Sequence, residues 1–491
     1  MHSDAAALAL DDPPPLTRRF KAVFASGSMA EAIVFSTTGQ FALLYYNQVL
    51  GVRPDLVGLA IAAGLIFNAL FEPFVGSWSD RTRSRFGRRH PFMFAAILPI
   101  TISFWAMFSP PSGLDHTGEL IWLAGCNTVL LQALTAFHTP HLAFGGELSP
   151  NYTERSRVMS WNTFFLWAGD TAVWLLSFAW FFRATPGHPN GALLASRWPN
   201  YIGFAASFVF IALTVSSVFT RSRIPFVQQA PLGAPRFSLG ELFRDVRKAL
   251  ANRNFRMLLG GYLFLSLTSG VRAGLWLYSA TYFWRLRNDQ ISWFVIGSFV
   301  SYVLGSGLVA RLHGRFEKRW TGAAAVMAYS IGPSIPLALG YFGVLGPHTP
   351  GLLPILIGFA VLQHFPYSIM TTTVYSTMAD IADQNELRFG IRQEGILYST
   401  STLFAKIDQA LGAAVAGAVL TLIAFPAHAK PGAVPQPVLM HLAIAFILFA
   451  IPGMIAAVFY SGIKISGASH AETKAALDER KAGLGLVEAL P

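Results

Sequence analysis

The chain has 491 residues, 53% hydrophobic and 12% charged, with a formal net charge of +11 and a mean hydropathy of +0.47. A soluble globular chain carries roughly 25% charged residues, so a soluble enzyme or binding module is excluded and a lipid-embedded chain is expected. The basic residues are strung between apolar stretches, which excludes a nucleic-acid face, and the single Cys126 excludes an internal disulfide.

In chain order, residues 1–22 are Ala-, Asp- and Pro-rich, lack the apolar core of a signal peptide, and read as a cytoplasmic tail ending in Arg18, Arg19 and Lys21. Crossing the hydrocarbon takes about 20 mostly apolar residues. That criterion predicts twelve helices, at 24–46, 56–78, 91–108, 120–144, 158–182, 201–219, 257–284, 291–312, 322–345, 352–381, 396–425 and 438–460. Lys and Arg concentrate in alternate loops, and the positive-inside rule then places both termini in the cytoplasm. The fold class is an all-α membrane protein of two six-helix bundles, 23–220 and 257–461. Between them, 221–256 is a cytoplasmic loop whose SLGELFRDVRKALANRNF forms an amphipathic surface helix, and 462–491 is a cytoplasmic tail.

A repeat supports that division. RFGRR at Arg85–Arg89 is echoed by RFEKR at Arg315–Arg319, and ELSPNYTERSR from Glu147 by DIADQNELRFGIR from Asp380. The two offsets nearly agree, as parallel six-helix halves require.

Ionisable residues inside apolar spans must find a partner or a wet cavity. They are Glu31, Glu72, His138, Asp170, Arg272, His364, Lys406 and Asp408. Asn68 and Glu72 lie four apart and share a helix face among Phe67, Phe71, Phe74 and Trp78. Glu72 holding a proton in one state and pairing with Lys406 in another suits alternating access. Asp170 and Arg272 read either as substrate ligands or as an ion pair steadying the bundles. Glu31, His138, Tyr367 and Thr402 complete the polar cavity candidates, and Tyr45, Trp161, Trp167, Trp276, Tyr278 and Tyr398 offer aromatic faces to a sugar or an amphiphile. At the cytoplasmic helix ends, Asp80, Arg85, Gly87, Arg88, Glu147, Arg155, Arg157, Asp380, Glu386, Arg392 and Glu394 are expected to form cross-bundle pairs that latch that side.

SDRTRSRFGRRHP, PHLAFGGELSPNYTERSRV and MADIADQNELRFGIRQEGILYSTSTLFAK resemble the glycoside–pentoside–hexuronide cation symporters, the melibiose-permease branch of the major facilitator superfamily. The resemblance implies coupled symport of a solute with sodium or a proton in the inner membrane. In that family two aspartates, an asparagine and a threonine bind the cation beside a lysine. Here those places hold Asn68, Glu72, Phe71, Thr135 and Lys406, so one carboxylate and an amide are lost and a proton is favoured over sodium. The sugar-gripping places hold Ala32 beside Glu31, His138 and Thr163, so the solute need not be melibiose-like.

The expectation is a proton-coupled symporter of a glycoside or related small solute. It has no cofactor, no metal site, no nucleic-acid partner and no obligate protein partner besides the bilayer. A carrier of amphipathic solutes such as lysolipids and a sodium-coupled sugar symporter are the alternatives within transport. A membrane-embedded enzyme lacks a catalytic constellation or a loop long enough to hold one. A transport-dead sensor is opposed by Glu72 and Lys406 and favoured only by Asn68.

Overall fold

The computed structural model describes residues 15–149, 151–227, 238, 240, 244, 247, 250–389, 394–465 and 467–483. Its first half holds α1 (Arg18–Leu44), α2 (Pro54–Arg81), α3 (His90–Met107), α4 (His116–Glu147), α5 (Tyr152–Leu175) and α6 (Trp198–Phe219). The second holds α7 (Arg253–Tyr278), α8 (Phe294–Arg315), α9 (Lys318–Ile331), α10 (Ser334–Tyr341), α11 (Leu352–Phe389), α12 (Glu394–Leu422), α13 (Gln436–Leu448) and α14 (Ala450–Ser461), followed by α15 (Gly467–Gly483). Among the described residues, nine helical stretches are long and apolar enough to cross a membrane. α1 is not one of them, because it carries Ser28, Glu31 and Thr37 into the protein interior. Ser28, Thr37 and one oxygen of Glu31 find partners on neighbouring helices, which is how a polar helix survives among apolar ones.

Several helices extend past the spans that hydropathy delimits. α4 begins at an Asp115 cap whose carboxylate accepts from the Gly118 N–H at 2.8 Å, and α5 at an Asn151 cap accepting from the Glu154 N–H at 3.1 Å. Hydropathy marks the hydrocarbon, whereas caps mark where the helix stops. Two expected single helices are broken. Proline lacks an N–H and clashes with the carbonyl four residues back. Pro333 therefore divides 322–345 into α9 and α10, and Pro452 divides 438–460 into α13 and α14.

Three π-helical turns, Tyr45–Val49, Leu176–Phe181 and Ser279–Phe283, all lie at the end opposite the Arg-rich loops. α1 packs on α5 and α6, α2 and α3 pack on α4, and α7 packs on α12 and α14. The largest contact between the halves is α2 against α12. It is close because it lacks side chains where the backbones meet. A Cβ on Gly58 would lie 2.5 Å from the Ala413 carbonyl oxygen, and one on Gly417 would lie 2.2 Å from that of Pro54. Of the expected amphipathic helix in 221–256, residues 239, 241–243, 245, 246, 248 and 249 lie outside the described residues. Its final turn is described, where Asn252 caps α7 through the N–H groups of Asn254 and Phe255.

Candidate functional site

The α2–α12 seam carries the first cluster. Pro73 follows Glu72 inside α2 and removes the N–H that would bond the Ala69 carbonyl. Lys406 reaches across from α12 and donates to the Asn68 carboxamide oxygen, and its Nζ lies 2.6 Å from Glu72 Oε2. The Asn68 amide nitrogen donates to Thr135 Oγ1 and to the Leu131 carbonyl, each at 2.8 Å. Asn68, Glu72, Thr135 and Lys406 thus meet in one place. An ammonium group already occupies oxygens that a metal cation would need, and both charged partners are less than a third exposed.

Beside this seam lies a cavity of about 1910 Å³ walled by both halves. Asn68, Thr163, Asp170, Arg272, Tyr367 and Lys406 all line it, as do His364, Asn127 and Arg155. Most of the wall is apolar and aromatic, with Phe164, Trp167, Trp174, Trp276, Phe299 and Tyr329. Asp170 Oδ1 accepts from Ser36 at 2.6 Å, and Ser36 accepts from Gln40 at 2.8 Å. Arg272 is 4% exposed and donates to the Tyr329 and Ser330 carbonyls at 3.3 and 2.6 Å and to Ser334 Oγ at 2.6 Å. The Tyr329 carbonyl is free because Pro333, four residues on, has no N–H to offer it. Of the two readings of Asp170 and Arg272, the cavity position holds and the ion pair does not: the acid is held by the Ser36 hydroxyl of the first half, and the guanidinium by a helix break in the second.

Glu31 and His138 form a second acid–base pair, with Nδ1 of the ring 2.7 Å from Glu31 Oε2. Glu31 is 2% exposed and its Oε1 has no hydrogen-bond partner. The two residues meet each other and are not among those lining the large cavity. The side chain of Thr402 lies outside the described residues, as do those of Tyr398 and Asp408. Trp167, Trp276 and Tyr367 face the cavity, but Tyr45 is packed 4.6 Å from Trp198 and Tyr278 is fully buried, so neither offers a face to a solute.

The end opposite the Arg-rich loops is stitched shut by neutral groups from both halves. Tyr278 donates to Asn47 Oδ1 and Tyr282 to Gln48 Oε1, each at 2.9 Å. Gln48 Oε1 also accepts from the Ala429 N–H, and its amide nitrogen donates to the Pro426 carbonyl, both at 3.0 Å. The π-helical turns add the residue per turn that brings Asn47, Gln48 and Tyr282 to this plane.

At the other end, where a cross-bundle latch was expected, the ion pairs of Arg88, Arg89, Lys318 and Arg157 each stay within one half. Arg88 and Arg89 hold Glu147 at 2.7 and 2.8 Å, and Arg89 also holds Asp80 at 2.6 Å. Lys318 holds Asp380 at 2.7 Å, and Arg157 holds Glu154 at 2.7 Å. Arg85 stacks on Phe86 at 4.8 Å, Gly87 turns with φ +70° against Ile224, and Arg155 belongs to the cavity wall. Glu386 lies on α11; Arg392 and the side chain of Glu394 lie outside the described residues. With the opposite end stitched, the cavity reaches Arg155 on the Arg-rich side. Sequence reasoning left Arg89 out of the gate set, although it is the buried hub of its cluster. It also missed Glu154, whose carboxyl is held below the usual carboxylate range by hydrogen bonds from Lys21 and then Arg157.

Comparison with known proteins places the chain in context. The family described as MFS/sugar transport protein matches residues 23–462. The chain is 23% identical over 421 residues to the inner membrane symporter YicJ of Escherichia coli (strain K12), covering 84% of this chain and 85% of that one. It is 20% identical over 478 residues to the isoprimeverose transporter of Lactiplantibacillus pentosus, covering 95% and 94%. Among solved structures, a D-xylose-proton symporter superposes with a TM-score of 0.58 at 14% identity, covering 90% of this chain and 96% of that one. That likeness establishes the fold.

Proposed function

The chain belongs to the MFS/sugar transport proteins and, within them, to the glycoside–pentoside–hexuronide cation symporters, and from that premise we propose proton-coupled symport of a glycoside-like solute by alternating access. It is a multi-pass membrane secondary transporter, and its solute class is of sugar type. On this reading the membrane domain has twelve spans in two six-helix bundles, 23–220 and 257–461, with both termini cytoplasmic. α9–α10 and α13–α14 each count as one broken span, and the Arg-rich end faces the cytoplasm. The conformation is then inward-open. No residue is assigned a catalytic role.

The observation that carries the proton assignment is the position of Lys406. Hard metal cations take several oxygen ligands at close range. Here the ammonium group sits on Asn68 and Glu72, and Thr135 is engaged by the Asn68 amide. A proton needs only one of those atoms. Protonating Glu72 cancels its attraction for Lys406 and loosens the α2–α12 seam; deprotonation restores the pair. Each protonation state therefore favours a different arrangement of the halves, which is the differential interaction that coupling requires.

The test is uptake into proteoliposomes by the protein from a panel of aryl glycosides and pentosides. An inwardly directed pH gradient should drive accumulation, an imposed sodium gradient should not, and Glu72→Gln should abolish the pH response. Strict sodium dependence would refute the assignment. The aromatic wall also favours an amphipathic solute, and counterflow with labelled lysolipid against the same glycosides separates the two.

A further inference from the structure

Resting on that reading of the cavity as the solute site, we propose that Arg272 selects an anionic group, so that the solute is an amphipathic monoanion whose apolar body packs on the aromatic wall. Arg272 is a buried guanidinium whose hydrogen-bond partners are neutral: two carbonyls and a serine hydroxyl. No ion pair joins it to an acid among the described residues, and one of its faces is covered by Phe446 at 5.2 Å. Neutral acceptors orient an ion but leave its charge uncompensated in a medium of low dielectric.

The other charges on the wall do not supply the missing anion. Lys406 is matched by Glu72, and Arg155 adds a further positive charge at the Arg-rich side. Asp170 is the one acid among the described cavity-lining residues, and it is engaged by Ser36 in the opposite half. The wall thus carries an excess of positive charge with the lysine already neutralised.

The guanidinium is also held ready. The helix break at Pro333 frees a carbonyl that pins it, so its position does not depend on a ligand. Its Nε–H is buried and has no hydrogen-bond partner. A carboxylate or sulfonate in the cavity meets this uncompensated charge, and a small shift that uncovers the Nε–H adds a charge-assisted hydrogen bond. The body of the solute then lies against Trp167, Trp174, Trp276 and Phe299, whose surfaces reward an apolar or aromatic group more than a bare sugar ring.

The experiment is calorimetric titration of the purified full chain with two matched pairs: 4-nitrophenyl β-D-glucuronide against the corresponding glucoside, and 2-naphthoate against 2-naphthamide. The anion of each pair should bind at least roughly tenfold more tightly than its neutral partner. Arg272→Gln should erase that ratio and Arg272→Lys should retain part of it. Should Arg272→Gln fail to fold, the wild-type ratios and the lysine variant decide. Equal affinities within both pairs, or a preference that survives Arg272→Gln, overturns the proposal. Naphthoate binding that depends on Arg272 while neither glycoside binds supports the anion site and removes the glycoside reading. Glycosides bound without charge preference leave the glycoside reading standing and overturn the anion site, and binding of none of the four removes both.

Discussion

The two ends of the molecule are held by different chemistry. At the end opposite the Arg-rich loops, the halves meet through tyrosines and carboxamides, with Gln48 bonded to Tyr282, Ala429 and Pro426. At the Arg-rich end, charged groups are dense, but the described pairs bind helices of the same half. A neutral hydrogen bond contributes about 1 kcal/mol net, so a handful can hold a gate shut and still release it. Ion pairs with buried arginines are harder to dismantle, because a separated charge is left poorly solvated. The seal between the halves is thus the breakable one, and the charges stiffen each half as a unit. Between the two ends, Lys406 and Glu72 form an ion pair that crosses from half to half.

The largest effect is expected at that crossing pair. Lys406→Ala leaves Glu72 without its base at the seam, at a cost of about 3 kcal/mol, so pH-driven uptake should fall on the order of a hundredfold. Initial rates in proteoliposomes measure this, and wild-type rates would break the comparison at its centre. Next comes the neutral seal. Gln48→Leu removes bonds to both halves and should shift the balance away from the closed end by about 2 kcal/mol, roughly thirtyfold in population. Spin labels on Ser112 and His348 should report a longer distance across that end. An unchanged distance distribution would mean that the seal lies elsewhere.

Arg89→Gln sharpens the contrast. Asp80 is half exposed and Glu147 keeps Arg88, so the loss is held to about 2 kcal/mol of stability. The thermal midpoint should drop while the distance across the closed end stays fixed. A changed distance would make this cluster part of a gate between the halves. The smallest effect belongs to Lys21 and Glu154, which tie the start of α1 to the start of α5. The folded carboxyl titrates below its unfolded value, so the contribution is complete above the ordinary carboxylate range and is lost as pH falls through the lowered value. Protection of the amides at 20–24 relative to their intrinsic exchange rates should therefore fall on acidification in the wild type, and Lys21→Ala should remove that pH dependence.

Which features were legible follows from what local sequence encodes. The α2 face that joins Asn68 to Glu72 was readable because a four-residue spacing fixes it, and Lys406 stood out as a charge deep in an apolar span. The partner of Glu31 was not, since His138 lies 107 residues away and only packing sets their distance. The Asp170–Arg272 pairing failed for a similar reason. Two opposite charges in facing spans suggest each other, but the break at Pro333 gave the arginine nearer acceptors. Pairs within one half, where a latch was expected, were not legible because charge density shows where ions gather and not which helix each one reaches. The closed end escaped notice entirely: Asn47, Gln48 and Tyr282 are ordinary polar residues until π-helical turns rotate them into one plane.

The central claim is that the Asn68–Glu72–Lys406 site takes a proton and not a metal ion. Infrared titration of the purified chain in vesicles tests it without a solute, through the carboxylic C=O stretch of Glu72. A band should grow as pH falls, persist unchanged when sodium replaces potassium in the medium, and be missing from Glu72→Gln. A Glu72 band that sodium suppresses at constant pH would contradict the account.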